Sequence, residues 1–161
     1  MVFAFPPFTV CGLDELGEHR DAGVTDVLSI LDPEVPVPRA FAGYTALRRH
    51  WILRFHDVSW PIPGAILAGP GDVETLLAFG EELRTAGTRA RLLVHCHAGV
   101  SRSAAAALVL LAQHHPGHEA AALDLVQRRR PVAQPNRRLV MLADAALDRD
   151  GRLRAVLDRC A

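Results

Sequence analysis

The sequence predicts an α/β protein: a central, mostly parallel sheet of about four strands, flanked by helices, with the reactive loop between the last strand and the helix after it. Three observations carry this. Short runs rich in Val, Ile, Leu and Thr alternate with stretches of helical periodicity, the pattern of a helix-covered sheet. Half of the 161 residues are apolar, enough for one core and one domain over residues 1–161. Finally, the apolar run Leu92-Leu93-Val94 enters the polar stretch His95–Ser103, and an alanine-rich run, Ala104–Ala112, leaves it.

The elements follow in order. Phe8–Cys11 is a short β-prone run ended by Gly12. Asp14 can cap a helix through about Ala22, where Gly23 stops it. Residues 25–31 are β-branched and apolar enough for a buried strand. Prolines at 33, 36 and 38 make residues 32–41 a loop. Residues 51–55 form a third strand, followed by His56-Asp57 and a Pro/Gly-rich loop to Gly71. Asp72 is the expected N-cap of a helix whose buried face is Val73, Leu76, Leu77, Gly80 and Leu83. Residues 91–95 are the fourth strand. Helices are expected at about 103–113, 119–129 and 136–148, with a further short helix after Gly151.

Composition excludes several classes of function. Formal net charge is zero, so no global field draws nucleic acid or an anionic membrane. All 18 basic residues are arginine, a bias expected of a GC-rich bacterial genome and given no functional weight. Cys11, Cys96 and Cys160 are too scattered for a disulfide framework or a metal motif, which favours a reducing, cytoplasmic setting. The N-terminus lacks the features of a signal peptide, and no apolar run approaches membrane-span length. Oligomeric state is not encoded in any pattern.

The chemistry lies between Cys96 and Arg102, a Cys-x5-Arg spacing. A loop of this length can curl until its N–H groups and the guanidinium point inward, forming a nest for a tetrahedral dianion. The helix N-terminus beside it adds to the attraction. The backbone of His97, Ala98, Gly99, Val100, Ser101 and Arg102 would line the nest. Gly99 permits the curl, and Arg102 offers a planar fork to two oxygens. A free thiol titrates near 8.5, so inward donors that favour the sulfur anion make Cys96 a nucleophile at neutral pH. His95 can fix the loop, and the Ser103 hydroxyl can assist the sulfur as it leaves.

His95-Cys96-x5-Arg102-Ser103, with Ala98-Gly99 inside it, resembles the signature loop of the protein tyrosine phosphatases. The compact length resembles their dual-specificity branch. Arg130-Pro131-x3-Pro135-Asn136, followed by Leu139, resembles a segment downstream of the signature in that branch. The likeness covers the second half of the chain; the first half shares only the element order. The resemblance implies hydrolysis of phosphotyrosine, and of phosphoserine or phosphothreonine, through a phosphocysteine on Cys96. It implies no cofactor and no metal, and a phosphorylated protein or small phosphomonoester as substrate. Gln134 and Asn136 would support the loop or position water. Two alternatives remain: a catalytically silent module that docks phosphorylated partners, and a rhodanese-like sulfurtransferase or arsenate reductase, which Ser103 and the Pro-Asn segment disfavour.

The same resemblance calls for an aspartic acid upstream to protonate the leaving oxygen. Asp57, at a strand end before a Pro/Gly loop, is favoured, with Asp72 as the alternative. Trp60-Pro61 is similar to the start of a Trp-Pro-Asp acid motif, but Ile62 stands at the acid's place. His56 is a candidate assistant to the acid. Arg128–Arg130 and Arg137-Arg138 read chiefly as solvated cations, and His114, His115 and His118 lack partners at metal-ligand spacing. Cys11 reads as a core thiol, with a reversible disulfide to Cys96 as the less favoured role.

Overall fold

The computed structural model describes residues 3–160. Strands β1 (Phe8–Cys11), β2 (Asp26–Leu31), β3 (Arg49–Arg54) and β4 (Leu92–His95) form one sheet in the order β1-β4-β2-β3, parallel at every pairing. Their starts are nearly flush: Phe8 and Asp26 both pair with Leu92, and Asp26 also pairs with Arg49. Parallel strands in register finish together, so Gly12, Asp32, Phe55 and Cys96 gather at one edge. That carboxyl edge is where α/β sheets place their ligands.

The two faces are covered unequally. Phe8, Val10, Leu28, Ile30, Leu92 and Val94 pack into the larger core with α1 (Pro70–Ala86), α2 (Arg102–His114), α3 (Glu119–Arg129), α4 (Arg137–Ala146) and α5 (Arg152–Ala155). Every residue of α2 from Arg102 to Ala112 is buried, because the helix lies on β4 and is flanked by α1, α3 and α4. Its alanines let those neighbours approach closely. On the other face Cys11, Val27 and Leu93 form a smaller core with Leu16, Phe41 and Tyr44. Among the described residues, two 3-10 segments, Leu13–His19 and Arg39–Gly43, cover that side.

Several boundaries differ from expectation. The helix expected from Asp14 to Ala22 is the 3-10 segment Leu13–His19; Leu16 is its one buried residue, too little apolar surface to hold several α turns. The loop expected over 32–41 contains the start of the second 3-10 segment. β3 begins at Arg49, two residues early, where Arg49 pairs with the fully buried Asp26. α1 starts at Pro70 rather than at an Asp72 cap. Asp72 sits in its first turn and accepts the Gly69 N–H at 2.8 Å. α4 stops at Ala146, before the left-handed Asp148 and Asp150. Among the described residues, no helix is long and apolar enough to cross a membrane.

Candidate functional site

Between β4 and α2, the chain from His97 to Ser101 turns every carbonyl outward. The His97 oxygen accepts the Leu13 N–H at 2.9 Å, and those of Ala98 and Gly99 accept Nη2 and Nε of Arg130, both at 3.0 Å. The Val100 and Ser101 oxygens accept the N–H groups of Gln134 and Asn136 at 2.8 and 3.0 Å. Within a planar trans peptide the C=O and the next N–H point in opposite directions. The N–H groups of residues 98–102 are thereby turned inward, around Cys96. Among the described residues, no backbone N–H from 98 to 101 donates a hydrogen bond.

The curl depends on close backbone approach. Gly99 has φ +69°, and a Cβ there would lie 2.5 Å from the Cys11 carbonyl carbon. A Cβ on Gly12 would lie 2.8 Å from the His97 oxygen. Both glycines are thus needed where β1 ends against the loop. Arg130 is itself anchored by two 2.7 Å bonds to Glu15 in the first 3-10 segment. The hydrogen-bonded guanidinium holds the Glu15 carboxyl below its ordinary range.

Cys96 is buried at the base, its Sγ 3.1 Å from the Ser103 Oγ. Arg102 is 4% exposed; its Nη1 donates to Asp32 Oδ1 and to the Phe55 carbonyl, both at 2.7 Å. Among the described residues, its buried Nε has no partner. Asp32 and Phe55 therefore fix one corner of the guanidinium and leave the Nε edge available to an anion.

Behind the loop, the Ser29 Oγ lies 2.6 Å from His95 Nε2 and 2.7 Å from His50 Nε2, while His95 Nδ1 lies 3.0 Å from the Cys96 carbonyl oxygen. The carbonyl can only accept, so His95 carries its proton on Nδ1 and Nε2 accepts from Ser29. Burial pushes the His95 imidazole down to about 4, and it stays neutral at physiological pH.

Asp57 stands at the mouth. Its Oδ1 accepts the Ser101 hydroxyl at 2.6 Å and Asn136 Nδ2 at 3.0 Å. The Asn136 amide also donates to the Val58 oxygen at 3.2 Å, and its Oδ1 caps α4 through the Leu139 N–H. Asn136 thus both tethers Asp57 and caps α4. Gln134 supports the loop through its backbone alone, its side chain being exposed. A shallow cleft of about 420 Å³ runs from Arg102 past Asp32, His56 and Asp57 to residues 63–65. Asp72 spends its carboxylate on the Gly69 N–H at the α1 terminus.

Other candidates have structural partners. The His97 side chain reaches across to accept the Asp32 N–H at 3.3 Å. Cys11 is a fully buried free thiol, pushed up to about 12 chiefly by burial. Arg129 lies over the Phe8 ring, and Arg138 donates to the Ala68 oxygen. Phe3 and Phe5 pack edge-on against His115 and His114. Among the described residues, one group has metal-ligand chemistry: Asp32, Glu34 and His56, with atoms within 4.8 Å of one another. It does not fit a cation. His56 Nδ1 accepts the Ile66 N–H at 2.8 Å, so the proton occupies Nε2, the nitrogen facing Glu34 at 3.5 Å.

Sequence reasoning missed Asp32, Glu15, Ser29 and His50. Asp32 had a usable signal, since it follows a strand just as Cys96 follows β4. The other three show their roles only through strands and segments distant in sequence.

No protein-family model matches the chain. A segment of 60 residues, 37% of the chain, is 42% identical to mouse dual specificity protein phosphatase 2, of whose length the match spans 18%. Among solved structures, human DUSP28 superposes with a TM-score of 0.63 at 23% identity, over 92% of this chain and 96% of that one. DUSP15 superposes with a TM-score of 0.62 at 20% identity, over 99% and 95%. In fold, and in the matched segment, the chain is similar to the dual-specificity branch of the cysteine-dependent phosphatases.

Proposed function

We propose that this chain hydrolyses phosphate monoesters on phosphorylated proteins through a phosphocysteine intermediate. One observation carries the reading: five consecutive outward carbonyls around Cys96, with the Asp57 carboxylate tethered at the rim by Ser101 and Asn136. The inward N–H groups surround the Cys96 sulfur before substrate arrives. They then hold the equatorial phosphate oxygens together with the free edge of Arg102, preorganised for the charge of the transition state.

In the first step the Cys96 sulfur attacks phosphorus. An S–P bond forms, the P–O bond to the leaving group breaks, and Asp57 gives its proton to that oxygen. In the second step the Asp57 carboxylate takes a proton from water as the water oxygen attacks phosphorus. The S–P bond breaks and inorganic phosphate forms, with the Ser103 hydroxyl 3.1 Å from the departing sulfur to stabilise its charge.

The shallow cleft supports access by phosphoserine and phosphothreonine as well as phosphotyrosine. Three free cysteines support a reducing, cytoplasmic setting.

Turnover of aryl and alkyl phosphates by wild type, Cys96→Ser and Asp57→Ala tests the proposal. Cys96→Ser should fall to background. In kcat/KM, which reports the first step, Asp57→Ala should lose about 10²- to 10⁴-fold on a poor leaving group and little on p-nitrophenyl phosphate. Activity surviving in Cys96→Ser would sink the mechanism. Phosphate binding by a wild-type protein that turns nothing over would instead identify a silent binding module.

A further inference from the structure

We propose that His56, as a neutral imidazole, is a positioning residue for Asp57 that closes the neck of the acid loop; this rests on the phosphatase reading above. The segment from His56 to Ile66 leaves the sheet edge and returns to it. Its two ends are joined twice by the same residue. The His56 N–H donates to the Ile66 oxygen at 2.7 Å, and the Ile66 N–H donates to His56 Nδ1 at 2.8 Å. Within the loop the two backbone bonds are Val58 N–H to the His56 oxygen and Ala65 N–H to the Ile62 oxygen, both at 3.0 Å.

A backbone N–H can only donate, so Nδ1 must present its lone pair and the imidazole proton must sit on Nε2. Nε2 faces Glu34 at 3.5 Å, and the Asp32 carboxylate completes that cluster while also holding Arg102 at 2.7 Å. Glu34 is exposed and lies in the loop after β2. The acidic neighbours are thus arranged to hold this tautomer, with Nε2–H toward the carboxylates and the lone pair toward Ile66.

The consequence falls on the next residue. Four consecutive positions tie this corner of the site down: Phe55 through its oxygen to Arg102, His56 to Ile66, Asp57 to Ser101 and Asn136, and Val58 through its oxygen to Asn136. The His56 ring bond is the side-chain half of the pair that fastens the returning end of the loop. Losing it leaves the single backbone bond to the Ile66 oxygen and loosens the loop, and the Asp57 carboxylate then samples orientations away from the leaving oxygen. His56 itself donates no proton to substrate in this scheme; it acts through Asp57.

The test uses the full chain with His56→Ala, His56→Gln and His56→Asn, assayed on p-nitrophenyl phosphate and on an alkyl phosphate. The Asn amide oxygen stands near the place of Nδ1 and can accept the Ile66 N–H; Gln reaches towards the position of Nε2 instead. Expected are losses of about tenfold in kcat/KM for Ala and Gln on the alkyl ester, less than about twofold on the p-nitrophenyl ester, and recovery in Asn. In an Asp57→Ala background, His56→Ala should add nothing. Equal losses on both esters, no loss on either, an Asn variant as poor as Ala, or an effect additive with Asp57→Ala would each overturn the assignment. Failure of the phosphatase reading itself is distinguishable, because turnover would then survive in Cys96→Ser or be absent from the wild type.

Discussion

Two loops meet over the cleft, and they are held in opposite ways. From His97 to Ser101 each carbonyl has a partner from outside the loop, and the whole curl rests on the backbone of Cys11 and Gly12. From His56 to Ile66 the chain is tied at its neck and around Asp57, while Trp60, Ile62 and Ile66 are 67%, 44% and 54% exposed. The difference teaches how the proposed reaction divides its labour. Donors that must stabilise developing charge work best when nothing needs to reorganise, so they belong on a stiff frame. An acid that gives up a proton and later takes one from water belongs on a segment that can adjust.

Substitutions can break this contrast. The largest effect is expected from Gly99→Ala, which drives a Cβ into the Cys11 backbone at a position with φ +69°. Strain and collision should cost about 3 kcal/mol or more in chemical denaturation and take turnover to background. Wild-type stability with activity retained would show that the loop is less rigid than its geometry indicates.

The next effect is read from pH. His95 is buried and titrates near 4, far below an ordinary histidine at 6.5. Between those values the unfolded chain binds a proton that the folded one does not, so stability rises with pH. Unfolding free energy should therefore fall by up to about 3 kcal/mol from pH 6.5 to 4 on account of this group. His95→Asn should flatten that slope in denaturation curves measured across the window; an unchanged slope would relocate the titration to other histidines.

The smallest effect sharpens the contrast from the other side. Asp57 is exposed, and its partners Ser101 and Asn136 keep other bonds when it is removed. Asp57→Ala should shift stability by no more than about 0.5 kcal/mol while it damages turnover of poor leaving groups. A large drop in Tm would mean that the acid loop is part of the frame after all.

The reading from sequence succeeded where the relevant contacts are local. The strand, curl and helix around Cys96 lie within one short stretch, and hydrophobic period marked the four strands and the long helices. It failed for the segment after β1, where a capping pattern suggested an α-helix but the apolar face needed to anchor one is missing. It failed at Asp72 because a first-turn acid can cap a helix without being its N-cap residue. Flanking helices were anticipated, yet among the described residues one face carries 3-10 segments instead, a difference that depends on how little apolar surface those segments offer.

By itself the sequence determined the α/β class, the place of the reactive loop and the proximity of Cys96 to Ser103, which a strand–curl–helix connection enforces at a separation of seven residues. Tertiary structure alone decided that Asp32 would hold Arg102 across 70 residues and that Glu15 would anchor Arg130 across 115. It also decided that Asp57 would meet Ser101 and Asn136. The reason is the strand order: setting β4 between β1 and β2 brings the carboxyl ends of β1, β2 and β3 around one loop. Side-chain pattern along a chain records which face of a strand is buried, but which strand lies next to which is settled only when the sheet assembles.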